Sequence, residues 1–563
     1  MNLIKITSIE QLTNYKNEWS IILEEIQNTN PFIEFEWIYE WWSYLGNEKN
    51  VEIIAVQSEN KLVAFFPFVY TKKWFGYEYN FMALGQANYM DFIAYEYVLD
   101  EAIAFVLDDI IQARKKVLFN FHGLLESGQT PKKLEAYLKN RGIKSRAYRI
   151  VIPYIDLENI NIDDYMKDRK TLHGLDRRQK RLRALGTVRL TTSKSEEMDY
   201  VFHLHNKRWE KKNDTSGFTN TERRAFFRKL AEVHGGAMSV QIESLYLEDK
   251  MIAFTYGFRC RGRYMGYVLG HDNSFDFFSP GRILVKEKIK KSVHSPIKIL
   301  DMSIGYEPYK FEWNTGLDHA RRIVFSSNSI SAKCARNFIW AKERLLSRVK
   351  KSRTAVLFRR NTLGKVKYIL RNLKSRQTFK KVKPDIDIFL KRIQNFIYYR
   401  NQHTIMKIGT ESVIPSMSNQ RYTQLTIKKV FDQVSLEDSD IKKIGDRLYR
   451  GFSGYYTGEP VAYDKLFWTN QNVIRVDSIY YLEQLRKGII YIEKWNTDNV
   501  LEICAFVKKA YKAKVIVIDL ADPTKETIET LKKKGFSIEK IIYNRTYLGF
   551  KKSKIQNNNA NSV

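Results

Sequence analysis

The sequence predicts an α/β (α+β) protein of several domains, in which one folding unit occurs twice. Three observations carry this reading. At 563 residues the chain is longer than a single core supports. Apolar runs of strand length alternate with amphipathic helical stretches across short links. The chain also repeats itself: SENKLVAFFPF, followed by FMALG ending at Gly85, parallels LEDKMIAFTYGF, followed by YVLG ending at Gly270. Within that parallel, Lys61-x-x-Ala64-Phe65 aligns with Lys250-x-x-Ala253-Phe254, which implies two copies of one α/β unit.

The first copy opens with a strand and the helix LTNYKNEWSIILEEIQ. NPFIEFEWIYEWWSYLG is a helix because Trp37, Trp41 and Tyr44 recur at i, i+4 and i+7, a face for the core or for a pocket wall. VEIIAVQSENKLVAFFPFVY reads as two strands around a Glu59-Asn60 turn. FMALG and DFIAYEY follow as short strands. Then come a helix (EAIAFVLDDIIQA), a strand (KKVLFNF), a helix (PKKLEAYLKNRG) and a strand (YRIVIPYIDL). A basic helix broken at Gly174 comes next. Its stretch Asp176–Arg183 holds five cations and one acid, either a solvated face or a contact for an anionic acceptor.

The strand VRLTTS follows this helix. The helix SEEMDYVFHLHNKRWEKK puts Phe202, His205 and Trp209 on one face, and TERRAFFRKLAEVHG is a further helix. Three strands follow, SVQIESLYLE, MIAFTYGFRC and YMGYVLG, turning at Glu248-Asp249-Lys250 and Arg261-Gly262-Arg263. Ser279-Pro280-Gly281 opens an amphipathic helix, with Ser279 as the expected N-cap and Pro280 at the first helical position. The first turn of that helix offers N–H groups and a positive dipole end, which suit a phosphate. A short strand, IKILDM, and the segment SIGYEPYKFEW close the copy. The boundaries are 1–155 for the first copy and 156–328 for the second.

The net charge of +31 is unevenly spread: residues 321–400 hold 23 Lys and Arg against three Asp and Glu. FIWAKERLLSRVKKS, KVKYILRNLKSR and PDIDIFLKRIQNFIYYR read as amphipathic helices, the first with Phe338, Leu345 and Val349 on its apolar stripe. Residues 329–400 are therefore a basic helical connector. The charge in 331–400 also suits an anionic membrane surface. RNA is the weaker alternative, because no aromatic-and-glycine signature accompanies the charge. Residues 401–422 read as a polar linker and 423–550 as another α/β domain. That domain starts with TQLTIKKV as a strand and a helix capped by Ser435, and residues 551–563 read as a disordered tail. No apolar run reaches 18 residues, so no spanning helix is expected. MNLIKITSIE lacks the basic start and apolar block of a signal peptide, so the expected compartment is the cytoplasm, with a peripheral position on the inner membrane face as the extension. Cys260, Cys334 and Cys504 are too scattered for a disulfide framework or a zinc site, and no metal is expected.

One ordered series runs through the second copy: Trp209, Gly217-Phe218, Ala253-Phe254, Gly257-Phe258, Gly262-Arg263-Tyr264, Gly270, Ser279-Pro280-Gly281, then Asp301…Gly305-Tyr306-Glu307-Pro308-Tyr309-Lys310…Trp313. It resembles the GNAT acyltransferase superfamily, and more narrowly the cellulose-biosynthesis acetyltransferases, which are similar in turn to Fem-type aminoacyltransferases. The resemblance extends from about Pro31 to Val324. It implies tandem GNAT-like halves facing each other, with mixed sheets. LKKKGF and the strand after it make 423–550 similar to a degenerate GNAT-like lobe. The activity implied is N-acyl transfer from acetyl-CoA, or another acyl-CoA, to an amine. The acceptor implied is an amino sugar, small or lipid-linked, in extracellular polysaccharide or cell-envelope biosynthesis. An aminoacyl-tRNA donor of the Fem type and a non-catalytic scaffold in a polysaccharide assembly are the alternatives.

Acyl transfer from a thioester to an amine needs a splayed strand pair for the pantetheine and a helix N-terminus for the pyrophosphate. It also needs a base for the amine proton and donors for the oxyanion. Gly270, Ser279, Pro280, Gly281 and Arg282 are the candidate donor-binding residues. Asp272, just past a strand end, is the first candidate base, and Glu307, Tyr309, Lys310 and His205 are the other catalytic candidates. Asp91, Trp209 and Arg263 are candidates for binding the acceptor. SFDFFSPGR stands where the superfamily carries Gln or Arg, two residues, Gly, one residue, then Gly or Ala, and this departure leaves the donor open.

Overall fold

The structure is a computed structural model. It describes residues 1–169, 172–193, 195–210, 218, 220–233, 236–351, 398–412, 421–433, 436–459, 461–479, 481–495, 497–547 and 550–557. These fall into two compact units. The first holds Met1–Gln179, Val188–Asp272 and the chain from Ser279 through the helix Ile330–Lys351. The second holds Lys180–Thr187, Asn273–Phe278 and the chain from Tyr398 onward.

In the first unit, the first copy supplies β1 (Asn2–Ile6), β2 (Asn50–Ser58), β3 (Lys61–Lys73), β4 (Gly76–Phe81), β5 (Ile93–Ala94), β6 (Val117–Leu125) and β7 (Ser145–Asp156). The second supplies β8 (Val188–Ser193), β9 (Met238–Leu247), β10 (Lys250–Cys260), β11 (Arg263–His271), β12 (Ile299–Asp301) and β13 (Gly316–Ser326). All thirteen join in one sheet, ordered β1-β2-β3-β4-β6-β13-β7-β12-β11-β10-β9-β8, with β5 on β3. From either edge inward the pattern is the same. Four strands run antiparallel. A parallel step follows, β4 to β6 or β11 to β12. Then comes an antiparallel strand from the other copy, β13 against β6 or β7 against β12. β7 and β13 pair antiparallel at the centre.

The repeat in the sequence is thus a repeat in topology. The Ser58–Lys61 and Leu247–Lys250 hairpins both join the second strand of a copy to its third. Both turns use left-handed backbone, at Glu59 and Asn60 (φ 49° and 62°) and at Glu248 (φ 51°). The expectation of two facing sheets is corrected: the copies exchange their last strands and make one mixed sheet. The exchange leaves neither β6 nor β12 with an open edge, which a strand must otherwise protect.

The helix Phe35–Leu45 belongs to the core. Trp37 and Trp41 are fully buried, and Trp37 stacks across the copies on Phe226 at 4.6 Å and Phe258 at 6.1 Å. Burying rings of this size against each other contributes to holding the two copies together.

The second unit has an eight-stranded sheet, in the order Thr423–Gln424, Ser453–Tyr456, Phe467–Asn470, Ile489–Glu493, Val515–Ala521, Tyr398–Gly409, Ser537–Tyr547, Phe550–Asn557. Its antiparallel run, its parallel step from Ile489–Glu493 to Val515–Ala521, and its antiparallel strand inserted next repeat the pattern of each copy in the first unit.

Four expectations change here. Residues 398–409, read as the end of a basic helix running into a linker, form the inserted strand of this sheet; its polar Asn401, His403 and Thr404 are buried. TQLTIKKV is a strand only at Thr423–Gln424, because the Thr426 side chain caps a helix at Ile427–Asp432. The next helix, Asp438–Tyr449, follows Glu437 without a side-chain cap. The tail forms a strand through Asn557, and its exposed lysines suit a sheet edge. The connector between 352 and 397, Ser435, Gly217 and the last six residues lie outside the described residues.

Candidate active site

The sheet opens where β11 and β12 part. They pair only over Arg263–Met265 and Ile299–Asp301. From Gly266 onward β11 has β10 on one side and, among the described residues, no strand on the other, while the chain after Asp301 leaves β12. A cavity of about 390 Å³ fills this gap. Gly266–Leu269 and Asp301–Ile304 form its two sides, with Val285 and Lys288 from the helix Pro280–Val293, His205 and Arg208 from the helix Met198–Glu210, and Asn88 from the first copy.

Asp301 organises one wall. It is fully buried and its Oδ1 accepts from Tyr89 Oη (2.9 Å) and the Ser303 N–H (2.6 Å), while Oδ2 accepts from Arg263 Nε (3.0 Å) and Nη2 (2.7 Å). A buried carboxylate with four donors is well satisfied. The bonds hold Ser303 in a left-handed conformation (φ 65°), and Asn88 Nδ2 donates to its Oγ at 2.7 Å. The buried Lys310 ammonium donates to the carbonyls of Ile304 (2.6 Å) and Ser303 (3.3 Å) and pairs with Glu307 at 3.0 Å. Lys310 therefore holds the loop that carries Glu307 and Tyr309, and its protons are committed to that task.

Glu307, Tyr309, Lys310 and His205, four of the five catalytic candidates, line this one cavity. Glu307 is exposed, a carboxylate able to take a proton at the mouth. Burial, with the Glu307 charge beside it, pushes the Tyr309 phenol up to about 12 against the opposing pull of Arg208, so it stays protonated and can donate. His205 meets the Phe218 ring edge-on at 4.8 Å. Lys288 lies 3.9 Å from the Tyr264 ring centroid and pairs with the buried Glu243 at 3.0 Å; burial lowers its pKa against the pull of that carboxylate.

The fifth candidate, Asp272, does not join them. It is 1% exposed, outside the cavity lining, and paired with Lys250 (3.5 Å) and Lys207 (3.8 Å). The expected donor-binding residues also lie outside the lining. A Cβ on Gly270 would sit 2.3 Å from Phe254 Cε1, so packing alone requires that glycine. Ser279 stands at the N-cap position, as expected, but its side chain makes no capping bond: the backbone is left-handed (φ 56°), and the hydroxyl accepts from Arg178. Pro280 and Gly281 are buried, with Leu269 3.1 Å from a Cβ placed on Gly281, and Arg282 pairs with Glu312. Asp91 and Arg263 line a different cavity, of about 600 Å³, with Glu25, Glu96, Asn28 and Tyr97. Burial holds the Asp91 carboxyl up at about 6. The Trp209 side chain lies outside the described residues.

Asp301, Arg208 and Asn88 were not singled out as site residues. Asp301 ends an apolar strand, where an acid reads as a terminator. Asn88 reaches the cavity from the other copy, which no local pattern signals.

Among the described residues, no group of three or more His, Cys, Asp or Glu is placed to hold a metal ion, and no helix is long and apolar enough to cross a membrane. No curated protein matches the chain. Solved structures similar to it include FemX (11% identity, 57% of this chain and 97% of that one, TM-score 0.40). Another is the C-terminal domain of a putative lysylphosphatidylglycerol synthetase from Agrobacterium fabrum (11% identity, 57% and 95%, TM-score 0.38). A third is a tandem GNAT protein from the clavulanic acid biosynthesis pathway (7% identity, 57% and 98%, TM-score 0.36). The model of the acetyltransferase (GNAT) domain family matches residues 169–311, which contain β11, β12 and most of the cavity lining, so the site lies in a GNAT acyltransferase domain.

Proposed function

We propose that the second copy transfers an acyl group from acyl-CoA, acetyl-CoA in the first instance, to the amine of an amino sugar used in envelope or extracellular polysaccharide synthesis, as in the cellulose-biosynthesis acetyltransferases. The observation that carries the reading is the gap between β11 and β12. A strand edge without a partner can pair with an extended amide-containing arm, which is what pantetheine offers. Glu307 accepts the proton of the attacking amine. The new N–C bond forms as the C–S bond breaks, and Tyr309 gives its proton to the departing sulfur. Lys310 and Asp301 keep both groups in register. The second cavity, whose Arg263 pairs with Asp301 of the first, has Glu25, Asp91 and Glu96 among amides and tyrosines, a lining that suits an amine-bearing polyol.

Titration calorimetry of the full chain with acetyl-CoA tests the donor, and thiol release with glucosamine-type acceptors tests the transfer. Acetyl-CoA binding with acceptor-dependent thiol release supports the reading. Absence of binding by folded protein that instead retains tRNA would replace it with aminoacyl-tRNA-dependent transfer, and absence of both would favour the scaffold.

A further inference from the structure

Away from this cavity, the sheet of the second unit brings together a serine, a histidine and an aspartate. His403 lies on the strand Tyr398–Gly409 and Asp519 on its antiparallel neighbour Val515–Ala521. The register pairs Ile405 with Asp519 and His403 with Ala521, so His403 and Asp519 are diagonal neighbours on one face. Their side chains meet, with Nδ1 3.5 Å from Oδ2. Tyr491, on the adjacent parallel strand, donates to the other carboxylate oxygen at 2.6 Å and fixes its orientation. On the far side of the imidazole, Ser478 Oγ lies 2.9 Å from Nε2. A single turn of helix, Asp477–Ile479, between the short strands Val473–Val476 and Tyr481–Gln484, brings it there. The imidazole is 4% exposed, while Ser478 is open to solvent.

We propose that Ser478, His403 and Asp519 form a nucleophilic triad that cleaves small acyl esters. The three groups follow the order the roles require: a reachable hydroxyl, an imidazole bonded to it through one nitrogen, and a carboxylate 3.5 Å from the other nitrogen, an approach that has to tighten to a hydrogen bond for the step. Such a constellation is identified by geometry and not by chain order. Ser478 Oγ attacks the ester carbonyl and its proton passes to His403 Nε2. The C–O bond to the leaving alcohol breaks as that alkoxide takes the proton from Nε2. Water then attacks the acyl-serine with the same proton route, releasing the acid and restoring Oγ–H, so that ester and water become acid and alcohol. The triad acts independently of acyl-CoA at the first unit.

The test is labelling of the full chain with a fluorophosphonate, mass-spectrometric location of the adduct, and p-nitrophenyl acetate hydrolysis. The expected result is an adduct on Ser478 that is lost in Ser478→Ala, with ester hydrolysis falling at least about a hundredfold. Because Ser478 is exposed, that variant keeps the fold, which unchanged thermal unfolding would verify. Asp519→Asn should slow labelling at least about tenfold without moving the adduct. An unlabelled wild-type chain, an adduct confined to another serine, or hydrolysis surviving in Ser478→Ala would overturn the proposal.

Discussion

Gly266→Leu separates donor binding from stability more cleanly than any other change at the cavity. A Cβ on Gly266 meets a single atom within 4 Å, the Asp301 carbonyl oxygen at 3.8 Å, which is ordinary van der Waals contact. Its backbone is not left-handed, so a side chain brings no strain. Removing a glycine from a compatible position even favours the fold by about 0.4–1 kcal/mol through the unfolded chain. The leucine carbons would then occupy the gap between Gly266–Leu269 and Asp301–Ile304, where the donor arm is proposed to lie. Two strand-edge hydrogen bonds at about 0.5–1.5 kcal/mol each amount to about 1–3 kcal/mol, a rise in Kd of about fivefold to about 150-fold. Calorimetry with acetyl-CoA reads the affinity and thermal unfolding reads the fold. Gly270→Leu is the contrast, since the clash with Phe254 should cost about 1–3 kcal/mol of stability by overpacking. An acetyl-CoA affinity within twofold of wild type in folded Gly266→Leu would refute the placement of the donor.

Three further outcomes are expected. Tyr309→Phe should lower kcat by about 10²- to 10⁴-fold with KM little changed; because the phenol is held up at about 12, wild-type activity should show no alkaline limb from this group below about pH 11. A KM effect alone would remove Tyr309 from the chemistry. Asp91 is raised to about 6 by burial, so the folded chain holds its proton more tightly than the unfolded chain, and stability falls as pH rises from about 4 through 6. Asp91→Asn should therefore be more stable than wild type at pH 7.5 and no more stable below about pH 4 in urea unfolding, and an equal difference at both pH values would contradict the assignment. The helix Ile330–Lys351 packs Ala335 against Phe75, Leu118 and Val324 but leaves Phe338 and Leu345 exposed among basic residues. If 331–400 meets an anionic bilayer at about 1 kcal/mol per basic residue, the chain should co-sediment with anionic vesicles at low salt and be released at high salt; equal sedimentation with neutral vesicles would exclude the contact.

What the sequence showed and what it hid follow from the range of the interactions involved. The Glu59-Asn60 and Glu248-Asp249 turns were legible because left-handed backbone and flanking apolar runs are local signals. The Glu307–Lys310 cluster was legible because its residues lie within four positions of one another. Strand exchange was not, since β13 pairs with β6 across some two hundred residues and nothing in either strand names its partner. Asp272 looked available because it follows a strand; only the fold brings Lys207 and Lys250 onto it. The strand Tyr398–Gly409 was missed because its polar residues read as solvated, whereas Thr404 is fully buried and His403 is held by Ser478 and Asp519.

The same position of the repeated topology is an open gap in the second copy and packed core in the first. The last parallel pairs are Tyr79 with Phe119 in the first copy and Met265 with Asp301 in the second. Counting onward, Phe81 and Phe121 correspond to Tyr267 and Ser303. In the second copy those positions border the cavity. In the first, the Phe81 and Phe121 rings pack at 4.8 Å, and Phe92 closes on both at 5.3 and 5.6 Å. Filling a gap with three rings exchanges a ligand site for core, and truncating such a ring costs about 3–5 kcal/mol. The first copy still acts at the second's cavity through Asn88 on Ser303 and Tyr89 on Asp301. With β7 and β13 exchanged, the first copy cannot separate from the second without breaking the centre of the sheet. The first copy therefore backs the cavity wall, which Asn88 and Tyr89 reach, while its own equivalent position is filled by Phe81, Phe92 and Phe121.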